Sequence, residues 1–150
     1  MEIMPENTQH RVNYALTKIT TESIELYPES FEEGKPAKIN AGLNFGVNRE
    51  KKLVKVQCKN TFLQDDLDFM EIEVSCVFAL DPQSWEIFCS RKPDSFVLPR
   101  DLAGHLADIT VGTARGILHN ETENTAFNNY FIPSGNMADM LPKDVVLQLQ

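Results

Sequence analysis

Between residues 14 and 80 the apolar positions recur with a period of two, the spacing of half-buried strands. The clearest run is Ile39, Ala41, Leu43, Phe45 and Val47, alternating without a miss against Lys38, Asn40, Gly42, Asn44 and Gly46. It predicts a strand with one apolar face and one small, polar face. A third strand follows, with Val54, Val56, Cys58, Asn60 and Phe62 on one side, and the Gln64-Asp65-Asp66 turn closes it. A fourth runs from Phe69 to Leu80, turning Met70, Ile72, Val74, Cys76, Phe78 and Leu80 inward and Glu71, Glu73 and Ser75 outward. The first strand, Tyr14 to Leu26, is rich in Thr and Ile but irregular: Ile19 falls out of step with Tyr14 and Leu16. A bulge near Thr17–Lys18 restores the facing, and bulges favour sheet edges. Sheets with one wet face pair antiparallel, and short turns between the strands predict a meander.

The period then changes. Asp81 to Leu98 is a connection holding Pro82, Pro93, Trp85, Ile87, Phe88 and Phe96. A loop that long is either functional or a cover for one end of the core. From Pro99 the period becomes 3.6 and predicts one long helix, RDLAGHLADITVGTARGILHN. Leu102, Leu106, Ile109, Thr113 and Ile117 form one stripe; Ala103, Ala107, Val111, Ala114 and Leu118 form the next. Two apolar stripes ask for two packing partners, the chain's own sheet and a second subunit. The glycines Gly104, Gly112 and Gly116 imply that another element approaches closely. After the Pro133-Ser134-Gly135 turn, Met137, Met140 and Leu141 predict one or two further helical turns, stopped by Pro142. The fold class expected is α+β, a four-stranded antiparallel sheet with one long and one short helix packed on it. Residues 14–142 form the single domain, 1–13 a loosely ordered lead-in and 143–150 a C-terminal tail.

Composition narrows the function classes. The chain has 150 residues, with 22 acidic side chains against 14 basic ones and a net charge of −8, and no basic run to replace phosphate counterions. Nucleic acid is therefore not an expected partner, and anionic membranes are repelled. Cys58, Cys76 and Cys89 form no C-x-x-C and imply no disulfide framework, which fits a reducing cytoplasm. The first residues, MEIMPENTQHR, lack the apolar stretch of a signal peptide, and no apolar run is long enough for a membrane span. His10, His105 and His119 lack metal-ligand spacing, and no phosphate-loop, dinucleotide or nucleophile-elbow motif occurs. Glu71 and Glu73 share one strand face about 7 Å apart, yet an open wet face does not separate two carboxylate pKa values. No enzyme, cofactor or metal site is expected.

Several segments, taken in order, resemble the SecB family of export chaperones: YALTKITTESIEL, PAKINAGLNFGV, MEIEVSCVFAL, TARGIL and FIPSGNMADML. Gly116 stands where that family tends to have Glu, and Met137 where it has Phe. The resemblance implies an ATP-independent holdase for unfolded or precursor polypeptides, built as a homotetramer of two dimers. The helix stripe Ala103, Ala107, Val111, Ala114 and Leu118 would then be the oligomer interface. It also implies docking of a SecA-type motor on acidic outer-sheet positions, which Glu71 matches and to which Glu73 is added as a neighbour. Ser23 and Tyr27 stand uncharged at other such positions, and KDVVLQLQ does not match the family's acidic tail. The expected polypeptide-contacting groups are Trp85, Phe88 and Phe96 in the crossover, with Tyr130 and Phe131 as an opposite wall. A module dedicated to a single partner, as in toxin–antitoxin systems, or an orphan that has the fold without an export role, is the other reading. An exposed crossover favours the holdase, and a packed one favours the orphan.

Overall fold

The computed structural model describes residues 11–149. Four strands, β1 (Tyr14–Leu26), β2 (Lys38–Asn48), β3 (Leu53–Gln64) and β4 (Leu67–Leu80), form one antiparallel sheet in the order β1-β4-β3-β2. The fold is α+β, as the alternation predicts. The connectivity is not the simple meander: β2, β3 and β4 run as consecutive hairpins, but β1 lies beside β4, giving a Greek-key order. The strand compositions explain this. β4 carries the longest apolar face and takes a neighbour on each side, whereas β2 and β1 are the strands suited to edges.

Local chemistry sets each boundary. Asp65 and Asp66 both adopt positive φ, 49° and 65°, forming the tight turn that joins β3 to β4. β1 carries register shifts at Leu16/Lys18 and Thr21/Ser23, the first where the slipped Ile19 demands it. Those bulges keep Leu16, Ile19, Ile24 and Leu26 opposite the inward residues Phe78, Cys76, Ile72 and Met70. The second bulge turns Glu22 to the outer face, where the Ser75 hydroxyl and the Lys55 ammonium hold its carboxyl below the usual range.

The segment Asp81–Leu98 is not a loop. Asp81 caps helix α1 (Pro82–Ser90), accepting from the Ser84 N–H at 2.8 Å, and strand β5 (Ser95–Leu98) follows. Helix α2 (Arg100–Glu121) then crosses β3 and β4. Leu106, Ala107, Thr110, Val111, Ala114 and Leu118 are buried against the sheet, and the Cys58 thiol lies 4.0 Å from the Thr110 carbonyl oxygen. Burial there pushes the Cys58 thiol pKa up to about 11, as befits an inert core group. A short 3-10 turn at Met137–Met140 packs on α2 where the sequence predicts a short helix. It comes so close that a Cβ on Gly104 would lie 2.5 Å from Ala138 Cβ, so that glycine is required by contact within the chain. The residues set apart as a tail form strand β6 (Val145–Gln148), which pairs with β5.

The core falls into two clusters. One gathers Val54, Phe78, Trp85, Phe96, Leu98 and Leu106 at the α1–β5 end. The other gathers Phe62, Phe69, Met70, Leu118, Phe127 and Ile132 at the opposite end.

Candidate functional site

At the second end, the start of the edge strand β2 and the segment after α2 stand apart and enclose a groove of about 290 Å³. Ala37, Lys38 and Ile39 form one wall, Phe62 the floor, and Asn129, Tyr130 and Phe131 the other wall. Each wall is pinned by a buried or half-buried polar side chain. Gln64, on the last position of β3, donates from Nε2 to the carbonyls of Glu32 (2.9 Å) and Lys35 (3.2 Å). Its Oε1 accepts from the Glu32 N–H at 2.9 Å, so one amide fixes the loop that leads into β2. Lys35 also meets the Asp65 carboxylate of the β3–β4 turn, which raises the ammonium pKa.

The opposite wall hangs from α2. Arg115 donates from Nε to the Ile132 carbonyl at 2.7 Å and from Nη2 to the Pro133 carbonyl at 3.0 Å. Phe127 and Ile132 are buried anchors on either side of the wall. Between them Tyr130 is half-buried, packing edge-on to Phe31 (5.7 Å) and Phe69 (5.2 Å). Phe131 is left 56% exposed, its ring stacked on His119 at 5.5 Å. The result is a preset aromatic ring beside a sheet edge with which, among the described residues, no further strand pairs. Such an arrangement can bind apolar side chains of an extended chain with little ordering cost.

A second apolar surface lies on the other edge strand. α2 covers β3 and β4 but leaves the same face of β1 open, so Leu16 is 42% and Ile19 49% exposed. The Tyr14 hydroxyl reaches His105 Nε2 on α2 at 2.6 Å, and Ile109, one turn further along α2, is half-exposed.

The residues singled out from sequence divide accordingly. Tyr130 and Phe131 line the groove. Trp85, Phe88 and Phe96 do not: they are 3%, 2% and 0% exposed, with Phe96 packed against Trp85 at 4.5 Å and Phe88 at 5.8 Å. The crossover folds as a helix and strand, so its rings close the core. The interface stripe is likewise corrected. Ala103, Ala107, Val111, Ala114 and Leu118 are all buried against their own chain, and the half-exposed stripe is Leu102, Ile109, Thr113 and Ile117. Small side chains let α2 sit close to the sheet, so the alanine stripe turns inward. Glu71 and Glu73 lie on the outer sheet face. Glu71 pairs with Lys59 at 3.4 Å and accepts from the Thr61 hydroxyl at 3.2 Å, and Glu73 accepts from the Gln57 amide. His105 and His119 are not brought together; one meets Tyr14, the other Phe131. Among the described residues, no cluster of three His, Cys, Asp or Glu is placed to hold a metal, and no helix is long and apolar enough to cross a membrane. Sequence reasoning missed Ile39 and Phe62 as groove residues, because their alternation looks the same whether the strand is central or at an edge.

No family model matches the chain, and no curated protein matches it. Among solved structures, a SecB-like chaperone from Mycobacterium tuberculosis, in complex with a ChAD peptide from an antitoxin, aligns over 82% of this chain and 87% of its own. The identity is 10% and the TM-score 0.39, a weak structural resemblance. At that score the alignment carries no weight for function, which rests on the groove and its surroundings.

Proposed function

We propose that this protein is a non-enzymatic polypeptide-binding protein of the chaperone type, which holds short apolar stretches of extended chain without ATP. The observation that carries this reading is Phe131, 56% exposed although its neighbour Ile132 is buried and its backbone is tied to Arg115. A large apolar ring held half in water beside an open sheet edge, with the half-buried Tyr130 next to it, offers apolar area that a client can cover. Main-chain pairing along β2 then supplies sequence-tolerant affinity, with Tyr130 and Phe131 selecting apolar side chains. A cytoplasmic, homo-oligomeric form fits the charge, the free thiols and the open apolar face of β1.

The packed crossover favours the narrower version of this function. With Trp85, Phe88 and Phe96 buried, the groove is short, and a protein dedicated to one partner or a few fits it better than one that wraps long precursors. The test is suppression of aggregation, read by light scattering, with several unrelated unfolded proteins at equimolar ratio. Suppression of at least one client, weakened about tenfold by Phe131→Ser with an unchanged melting temperature, is the expected result, since one aromatic contact is worth roughly 1.5–3 kcal/mol. Suppression of none, or no effect of Phe131→Ser, overturns the reading. The number of clients protected separates the dedicated partner from the general holdase.

A further inference from the structure

We propose that the segment Leu141–Leu149 is an internal occupant of a second polypeptide-binding groove, from which extended peptides of matching pattern displace it. β6 pairs antiparallel with β5, Val145 opposite Leu98 and Leu147 opposite Phe96, in a two-stranded ribbon separate from the main sheet. The ladder continues from the Leu149 N–H to the Asp94 carbonyl at 2.9 Å. Alternate side chains Val145, Leu147 and Leu149 pack on the cluster that contains Trp85, Phe96 and Leu98, while Val146 between them is 41% exposed. That is the geometry of a ligand strand added to a sheet edge, where main-chain bonds give affinity and every second side chain gives specificity.

The receiving side and the occupant are built to different standards. Every residue of β5 is buried, whereas no residue of β6 is. A four-residue strand in a two-stranded ribbon is marginal by itself. What holds it is a polar latch at the surface. Asp144 Oδ1 accepts from the Arg100 N–H at 2.8 Å, capping α2 where Pro99 offers no side-chain cap, and Oδ2 lies 3.9 Å from Arg91 Nη1. Arg100 Nε also donates to the Leu141 carbonyl at 2.6 Å. The occupant therefore defines its competitor: an extended stretch with a carboxylate side chain followed by apolar residues at the first, third and fifth positions after it.

This inference rests on the polypeptide-binding reading and is tested apart from it. The probe is a fluorescein-labelled peptide with the sequence of residues 142–149, PKDVVLQL, titrated into the full chain and followed by anisotropy. Asp144→Ala should bind it about tenfold more tightly than the unsubstituted chain, since a groove closed most of the time lowers apparent affinity by the fraction open. A disulfide between Val97→Cys and Val146→Cys, which face each other across the ribbon, should abolish binding until reduced. Hydrogen exchange on the unsubstituted chain at saturating peptide should show the amides of 145–148 losing protection while β1–β4 keep theirs. If Asp144→Ala melts lower without binding the peptide more tightly, or if peptide leaves the 145–148 amides protected, the segment is merely a structural closure. In that case aggregation suppression dependent on Phe131 survives, whereas loss of that suppression with displacement intact overturns the first groove alone.

Discussion

Asn60 points inward from β3 between Cys58 and Phe62, and among the described residues its Nδ2 is buried with no hydrogen-bond partner. The β3 alternation already places it in the core, since its neighbours on that face are all apolar. A buried amide left unpaired costs about 1–3 kcal/mol, so Asn60→Leu, close in volume, should raise the unfolding free energy by about 1 kcal/mol. Urea denaturation checks it: a fall in the midpoint would mean the amide nitrogen is satisfied in solution. The same scale shows where single residues escape the sequence. Tyr130 and Phe131 are adjacent and chemically alike, yet Tyr130 joins the Phe31–Phe69 cluster and Phe131 stands in water. The backbone is extended at Tyr130, so adjacent side chains point to opposite sides: Tyr130 and the buried Ile132 turn inward and Phe131 turns out.

α2 teaches the corresponding lesson for elements. Two apolar stripes are plain in the sequence, and their period cannot say which meets the sheet. Volume decides it, the alanines going inward and Ile109 and Ile117 remaining half-exposed. Ala107→Arg forces a charge into a packed core and should cost more than about 3 kcal/mol, unfolding the domain instead of merely dissociating it. Ile117→Arg should leave the melting temperature nearly unchanged and lower the mass measured by light scattering. An unsubstituted chain that is already monomeric, or an Ile117→Arg chain with undiminished mass, removes this stripe from any assembly. The crossover was legible only as an aromatic-rich connection. Its nine-residue helix begins at Pro82 and stops before Pro93, too short for a 3.6 period to declare itself.

At the scale of the molecule, antiparallel pairing, the β1 bulge and the inward faces of β3 and β4 were all written in the alternation. Strand order was not, because residues 27–37 between β1 and β2 are long enough to reach either side of the sheet. The groove at the start of β2 follows from that order, which leaves β2 at the edge of the sheet, and it is a property of no single segment. The order also bears on how the chain is made. β1 leaves the ribosome first, but its partner β4 is complete only at Leu80, after two hairpins that close locally. Short-range hairpins close ahead of long-range pairings, so β2–β3–β4 should assemble before β1 docks. Pulse-labelled hydrogen exchange during refolding reads this directly: amides of 53–80 gain protection before those of 14–26, and simultaneous protection contradicts it. Until β4 arrives, Leu16, Ile19 and Ile24 travel on an extended, unpaired strand. A nascent copy of this protein thus passes through the kind of state that its finished copies are proposed to hold in others.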